Sequence, residues 1–151
     1  FWRVWAKRFK EPDEFGKIVI GCIFGAVGVA CLGLGSLLTP EGGKVPFGWL
    51  LAFHLFNDIG FANVLPVGLA LFARAAPRAI SGAVIGIYYL HLFAGNAFAG
   101  WLGSLLEHMT PASFWFMHAA LVGGSGLVFL LIAPVFRRVL DAEPQPALAT
   151  A

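Results

Sequence analysis

Four long runs of apolar residues restrict this chain to one class of fold. Each run holds about 20 residues, the length that an α-helix needs to cross a ~30 Å hydrocarbon core. Only 12% of the 151 residues are charged, whereas soluble domains carry about 25% charged residues. We therefore predict an all-α membrane protein with four transmembrane helices. The predicted spans are residues 18–38, 47–72, 80–106 and 114–136.

The segments outside these spans predict the topology. The N-terminal segment 1–17, the loop after the second span and the tail 137–151 hold nine of the ten Lys and Arg residues. Basic residues are retained on the cytoplasmic side, so we place both termini in the cytoplasm. The tail is rich in Pro and Ala and is predicted to be disordered. The net charge of +2 gives no reason to expect a nucleic-acid partner.

Small residues at a spacing of four predict close contact between helix backbones. The pairs are Gly21/Gly25, Ala26/Ala30, Gly82/Gly86, Gly95/Ala99 and Ala99/Gly103. Specific homodimerisation through such pairs is the alternative to ordinary helix packing. Cys22 and Cys31 would lie roughly 13 Å apart along the first helix, too far to form a disulfide.

Polar side chains are concentrated in the second and third spans, which predicts that these spans face a polar cavity while the first and fourth face lipid. Four residues of the second span share one helical face: His54, Asn57, Asp58 and Phe61. Asp58 lies about 16 Å from the outer end, close to the membrane midplane. An ionised carboxylate there is costly unless it is paired, hydrated or protonated, so it predicts a functional site.

His54 lies one turn from Asp58 and is its predicted partner in proton coupling, because an imidazole and a carboxylate can exchange a proton as access to water changes. A purely structural His–Asp brace is the alternative. Pro66 removes the backbone hydrogen bond to Ala62 and predicts a kink below this cluster.

The third span carries a second group of polar residues at a similar depth. His91 lies about 17 Å from the inner end and shares a face with Tyr88. We predict that one substrate-binding set is formed from both spans: Asn57, Asp58, Phe61, Tyr88, His91 and Asn96. We predict no metal site and no catalytic residues.

Two histidines at similar depth leave a second class of function open. His54 and His91 could be the axial ligands of a haem in a four-helix membrane protein. A Soret band in the visible spectrum of the purified protein would distinguish this alternative from a transporter.

The segment from residue 66 to residue 100 resembles the C-terminal half of proton-dependent oligopeptide transporters, a branch of the major facilitator superfamily. The matching residues follow one another without a gap: Pro66-Val67-Gly68-Leu69, Arg74, Ala76-Pro77, Gly82, Gly86, Tyr89-Leu90, Gly95-Asn96 and Ala99-Gly100. More loosely, residues 1–10 resemble the end of helix eight, and the four spans resemble helices nine to twelve. On this basis we expect a fragment whose partners include the remaining N-terminal helices.

The resemblance implies symport of di- or tripeptides with protons by alternating access, in a multi-pass protein of the bacterial inner membrane. Its partners would be the peptide, protons and the lipid bilayer. The proton gradient would drive transport without a cofactor. A facilitator for a drug, a sugar or another solute is the alternative.

The chain departs from the family pattern at the second and third spans. Phe61 follows Gly60 where the family has a glutamate, and Asp58 lies one turn earlier on the same face. Tyr88 occupies a tryptophan position, and His91 occupies the position of a small polar residue. These changes point to an altered substrate preference.

Overall fold

The computed structural model describes residues 2–142, and this part of the chain is built from helices joined by short loops. The helices are α1 (Trp2–Trp5), α2 (Glu14–Leu37), α3 (Phe47–Ala75), α4 (Ser81–Gly103) and α5 (Pro111–Ala142). Short 3-10 helices, Arg78–Ile80 and Ser104–Glu107, flank α4. The four long helices have the length and apolar composition that a membrane crossing requires. The predicted all-α membrane class is confirmed.

Helices α2, α3 and α5 extend past the predicted spans, whereas α4 ends at Gly103, before the predicted residue 106. Helix α2 begins at Glu14, since the Asp13 side chain caps it by accepting a 3.0 Å hydrogen bond from the Gly16 amide. The tail predicted to be disordered from residue 137 is helical as far as Ala142. Residues 143–151 of that tail lie outside the described residues.

Helix α2 packs between α3 and α5, both of which run antiparallel to it, and glycines form its contact with α3. A Cβ atom added to Gly60 would lie 2.7 Å from the Gly21 carbonyl oxygen and 2.8 Å from the Gly25 nitrogen. Only hydrogen at Gly60 permits this approach, because a Cβ would overlap the backbone on the other side. The predicted packing role of the Gly21/Gly25 pair is therefore confirmed.

The opposite side of α2 packs against α5. A Cβ on Gly126 would lie 2.7 Å from the Cys22 Cβ, and one on Gly33 would lie 3.0 Å from the Phe116 ring. Cys22 and Cys31 are both buried and both free, as predicted. Small residues thus bring α2 close to a helix on each side.

The remaining face of α2 is apolar and exposed. Four residues at spacings of three to seven form this stripe: Ile23, Val27, Leu34 and Leu37. Their exposed fractions of 40–62% show that neither α3 nor α5 covers them. This stripe is consistent with the prediction that the first span faces lipid.

Helix α4 is held more loosely, mainly through Tyr88, which is only 6% exposed and lies against α3. Glycines on α4 lack the contacts seen on α2. A Cβ would meet no described atom within 4 Å at Gly82, Gly86, Gly95, Gly100 or Gly103. Within residues 2–142, the predicted small-residue pairs of α4 therefore make no helix contact.

Ion pairs connect the start of α2 to the C-terminal parts of α3 and α5. Asp13 accepts two hydrogen bonds from Arg137 of α5, one of them 2.9 Å long, and Glu14 accepts a 2.7 Å hydrogen bond from Arg74 of α3. Partial burial raises the pKa of Asp13. The hydrogen bonds from Arg137 and the Gly16 amide, together with the positive charge of Arg137, lower it by more, so the pKa of Asp13 lies below its ordinary value. The start of α2 thus links α3 to α5.

Candidate functional site

On the polar face of α3, Asp58 and Phe61 point away from the contact with α2, whereas Asn57 lies at the edge of that contact and is partly buried. Helix α2 contacts α3 at Gly60 and at the backbone of Phe53 and Asn57. Viewed down the axis of α3, the centre of this contact lies about a third of a turn from Asp58. Asp58 is exposed, as is Phe61, whose exposed fraction is 56%. The structure therefore leaves the predicted face open on the described part of the chain.

His54 lies on this open face but does not pair with Asp58. No ion pair of the described residues includes either side chain. The His54 ring instead lies 5.0 Å from the ring of Phe53, measured between centroids. Asn57 is partly buried beside them. The predicted His54–Asp58 pair is not formed in this conformation, and its part in proton coupling stays a prediction.

Tyr88 occupies the interface between α3 and α4. Its hydroxyl donates a 2.7 Å hydrogen bond to the Leu65 carbonyl oxygen, and its ring lies 5.1 Å from that of Phe72. A Cβ on Gly68 would come within 2.8 Å of the Tyr88 hydroxyl. Tyr88 therefore fastens α4 to α3, which differs from the solute-lining position predicted for it.

His91 is exposed but held in place by Tyr88. Its ring lies 4.6 Å from the Tyr88 ring, and its Nδ1 bonds to the Tyr88 carbonyl oxygen. Tyr88 thus positions the imidazole that was predicted to act at the site.

Asn96 and Pro66 complete the predicted residues. Asn96 is exposed in the C-terminal half of α4. Helix α3 runs without a break through Pro66, so the kink predicted there remains a prediction. Among the described residues, no group of three or more His, Cys, Asp or Glu side chains could hold a metal ion.

Asn63 is a buried polar residue to which the sequence analysis gave no role. Its Oδ1 accepts a 2.9 Å hydrogen bond from the indole of Trp2, and its Nδ2 donates to the Ile59 carbonyl oxygen at 2.8 Å. The sequence feature that could have revealed this role is an amide side chain on an otherwise apolar helical face. Asn63 joins the N-terminal segment to α3 and borders an apolar cavity of about 500 Å³.

The open face of α3 therefore offers three kinds of contact to a solute. The Asp58 carboxylate can take up a proton or bind an ammonium group, and the Asn57 amide can donate and accept hydrogen bonds. Phe61 adds an exposed aromatic surface. The combination suits a small molecule with a positive charge, amide groups and apolar parts.

Three named bacterial proteins are similar to this chain. It is 29% identical over 150 residues to a peptide transporter, YePEPT, of Yersinia enterocolitica, which covers 95% of this chain and 29% of the relative. It is 30% identical over 105 residues to dipeptide and tripeptide permease A of Proteus mirabilis, covering 70% of this chain and 21% of the relative.

A third relative is dipeptide and tripeptide permease B of Aliivibrio fischeri, 28% identical over 133 residues, which covers 83% of this chain and 26% of the relative. The chain thus spans less than a third of the length of these three relatives. No protein-family model matches the chain, and no solved structure matches it significantly.

Proposed function

Because this chain belongs to the proton-dependent oligopeptide transporter family, we propose that the protein of which it is a part carries di- and tripeptides across the bacterial inner membrane together with protons. Transport would proceed by alternating access, with the solute site near the bilayer midplane. The names of the relatives support a peptide as the substrate.

The observation that carries this proposal is the exposure of Asp58 on a membrane-spanning helix that is firmly packed on another side. Helix α2 covers the glycine side of α3 and leaves Asp58 and Phe61 uncovered. A carboxylate in contact with lipid at this depth would cost several kcal/mol or more. The open face therefore suits an aqueous pathway or a solute site better than a lipid contact.

Different side chains of this face can bind the peptide and take up the proton. The Asp58 carboxylate binds the amino terminus of a peptide, and the Asn57 amide bonds to its backbone. Phe61 contacts an apolar peptide side chain. When no ammonium group is present, Asp58 is the group that takes up the transported proton, and the imidazoles of His54 and His91 are further groups that can accept a proton.

Uptake of a labelled dipeptide by the full-length protein in liposomes tests the proposal. We expect an inward acid gradient to accelerate uptake, and Asp58→Asn to abolish this acceleration because an amide cannot take up the proton. Glu41→Gln is the matched control, since Glu41 is an exposed carboxylate in the loop between α2 and α3. It should leave uptake unchanged.

Two results would contradict the proposal. One is dipeptide uptake that ignores the imposed gradient in the unmodified protein. The other is gradient-driven uptake that survives Asp58→Asn unchanged. Unlabelled tripeptides, free amino acids, sugars and cationic drugs, added as competitors, distinguish a peptide carrier from a facilitator for another solute.

A further inference from the structure

The contact at Tyr88 fixes which residues of α3 and α4 lie opposite each other. The Tyr88 hydroxyl donates to the Leu65 carbonyl oxygen and would lie 2.8 Å from a Cβ atom on Gly68. Phe72 and Val84, nearer to the connection between the two helices, line one cavity. Later residues of α3 thus meet earlier residues of α4, so the helices run antiparallel, with Gly68 and Tyr88 at the same level.

Two turns from this contact, Phe61 of α3 and Gly95 of α4 face each other. Phe61 precedes Gly68 by seven residues. Gly95 follows Tyr88 by the same number. In antiparallel helices both steps run in one direction and cover about 10 Å, and seven residues make nearly two complete turns. Phe61 therefore points towards α4, and Gly95 points towards α3 at the same level.

These two residues nevertheless do not touch. Phe61 is 56% exposed, and a Cβ atom on Gly95 would meet no described atom within 4 Å. The helices therefore diverge from the Tyr88 contact and leave a space between Phe61 and Gly95, which we call the α3–α4 gap. The two residues are complementary in size, because a glycine leaves room on its helix for a large side chain of the facing helix.

Helix α4 is the more loosely held wall of this gap. On its other side, α3 is fixed to α2 by the backbone contact at Gly60. Every residue between Tyr88 and Leu102, the two buried residues of α4, is exposed or partly exposed. Among the described residues, α4 has no extensive contact with a long helix other than α3. Few buried contacts are typical of an element that moves at low cost in free energy.

We propose that a bound peptide closes the α3–α4 gap, with α4 turning about the Tyr88 contact until the Phe61 ring packs on Gly95. This closure rests on the proposed function, since its ligand is the peptide held by Asp58. Asp58 and Asn96 are both exposed, and helical geometry places them at similar levels on the same side of the α3–α4 pair. A peptide bound to Asp58 gains a hydrogen bond to the Asn96 amide only when the gap is closed. This difference in binding free energy drives the closure.

Disulfide trapping in the full-length protein tests the closure, on a background in which the native cysteines are replaced by alanine. A disulfide between Phe61→Cys and Gly95→Cys requires the two Cα atoms to come within about 7 Å. We expect a saturating dipeptide to increase several-fold the rate at which copper phenanthroline and oxygen form this bond. Phe61→Cys with Phe93→Cys is the matched control. Phe93 is 72% exposed and points away from α3, so this pair should form no disulfide with or without the dipeptide.

Gly95→Leu tests the same closure without cysteines. Its side chain takes the place of the Phe61 ring in the closed form, so we expect the maximum rate of dipeptide uptake to fall several-fold. The melting temperature should stay unchanged, because the open form has room for a side chain at this position. Gly86→Leu is the control and should transport normally. Gly86 also has no described neighbour within 4 Å, but it points away from α3.

Either disulfide formation that the dipeptide leaves unchanged or normal uptake by Gly95→Leu would overturn the closure. A pair that forms no disulfide in either condition would overturn it as well, because another part of the full-length protein then fills the gap. Dipeptide uptake by the unmodified protein, measured in parallel, separates these results from a failure of the proposed function. If the unmodified protein takes up no dipeptide, the proposed function fails and the peptide-driven closure fails with it.

Discussion

Helices α2 and α4 carry the same small-residue pattern but differ in what those residues touch. On α2, Gly21 and Gly25 lie against the backbone of α3 at Gly60. On α4, a Cβ added at Gly86 or Gly95 would meet no described atom within 4 Å. Small residues at this spacing therefore permit another helix to pack closely, and the residues of the facing helix determine whether this contact forms.

The largest expected effect comes from placing a methyl group in the closest helix contact. Gly60→Ala puts a Cβ 2.7 Å from a backbone oxygen of α2, which cannot move as a side chain can. We expect a loss of about 1–3 kcal/mol in the free energy of unfolding, measured by thermal or denaturant unfolding in detergent. Gly95→Ala is the control on α4 and should leave stability unchanged or slightly raised. Equal effects of the two changes would show that the packing difference is absent.

Two asparagines, one buried on α3 and one exposed on α4, test the same difference in packing. Asn63 on α3 is 9% exposed and makes hydrogen bonds to Trp2 and the Ile59 carbonyl, whereas Asn96 on α4 is exposed. We expect Asn63→Leu to lower the free energy of unfolding by about 1–2 kcal/mol. Asn96→Leu should change it little, and a larger loss from Asn96→Leu would contradict the open position of α4.

The bond that fastens α4 to α3 should have a smaller effect. Tyr88→Phe removes the hydroxyl that donates to the Leu65 carbonyl but keeps the ring against Phe72. We expect a loss of about 1 kcal/mol in the free energy of unfolding and faster hydrogen exchange in α4 than in the unmodified protein, with little change in α2. Tyr89→Phe is the control, since Tyr89 is 50% exposed. Unchanged exchange in α4 would mean that other contacts hold this helix.

The smallest effect is expected at the start of α2, where the ion pairs are partly exposed. Asp13→Asn weakens the link between α2 and Arg137 and should cost under about 1 kcal/mol at pH 7. The folded pKa of Asp13 lies below its unfolded value, so the stabilisation is present above about pH 3.9 and is lost as the pH falls through the folded pKa. Urea unfolding between pH 3 and 7 measures this dependence. An effect of the variant that grows as the pH falls would contradict it.

Hydropathy predicted the four helices because a membrane span must be long and apolar, whatever its neighbours. Residue spacing also predicted the face of α3 that carries Asp58, since helical geometry relates residues three and four apart. The resemblance seen in residues 66–100 to peptide transporters is confirmed by the relatives, one of which matches 95% of the chain.

Contacts between helices were the part that sequence could not supply. The spacing of His54 and Asp58 permits a pair but does not require one, and in the structure the His54 ring packs on Phe53. Tyr88 and His91 share a helical face, yet only Tyr88 is buried against α3. Periodicity gives the direction of a side chain relative to its own helix, whereas the neighbouring helix determines what covers it.

The central claim is that the polar face of α3 borders an aqueous solute pathway while the exposed stripe of α2 faces lipid. Cysteine labelling tests it directly in the full-length protein, on a background in which the native cysteines are replaced by alanine. Phe61 of α3 and Val27 of α2 are matched positions, 56% and 42% exposed and each about 20 Å from the start of its helix.

We predict that Phe61→Cys reacts with a membrane-impermeant maleimide and that a dipeptide protects it, whereas Val27→Cys does not react. Equal labelling of the two positions, or labelling of Val27→Cys alone, would contradict the account.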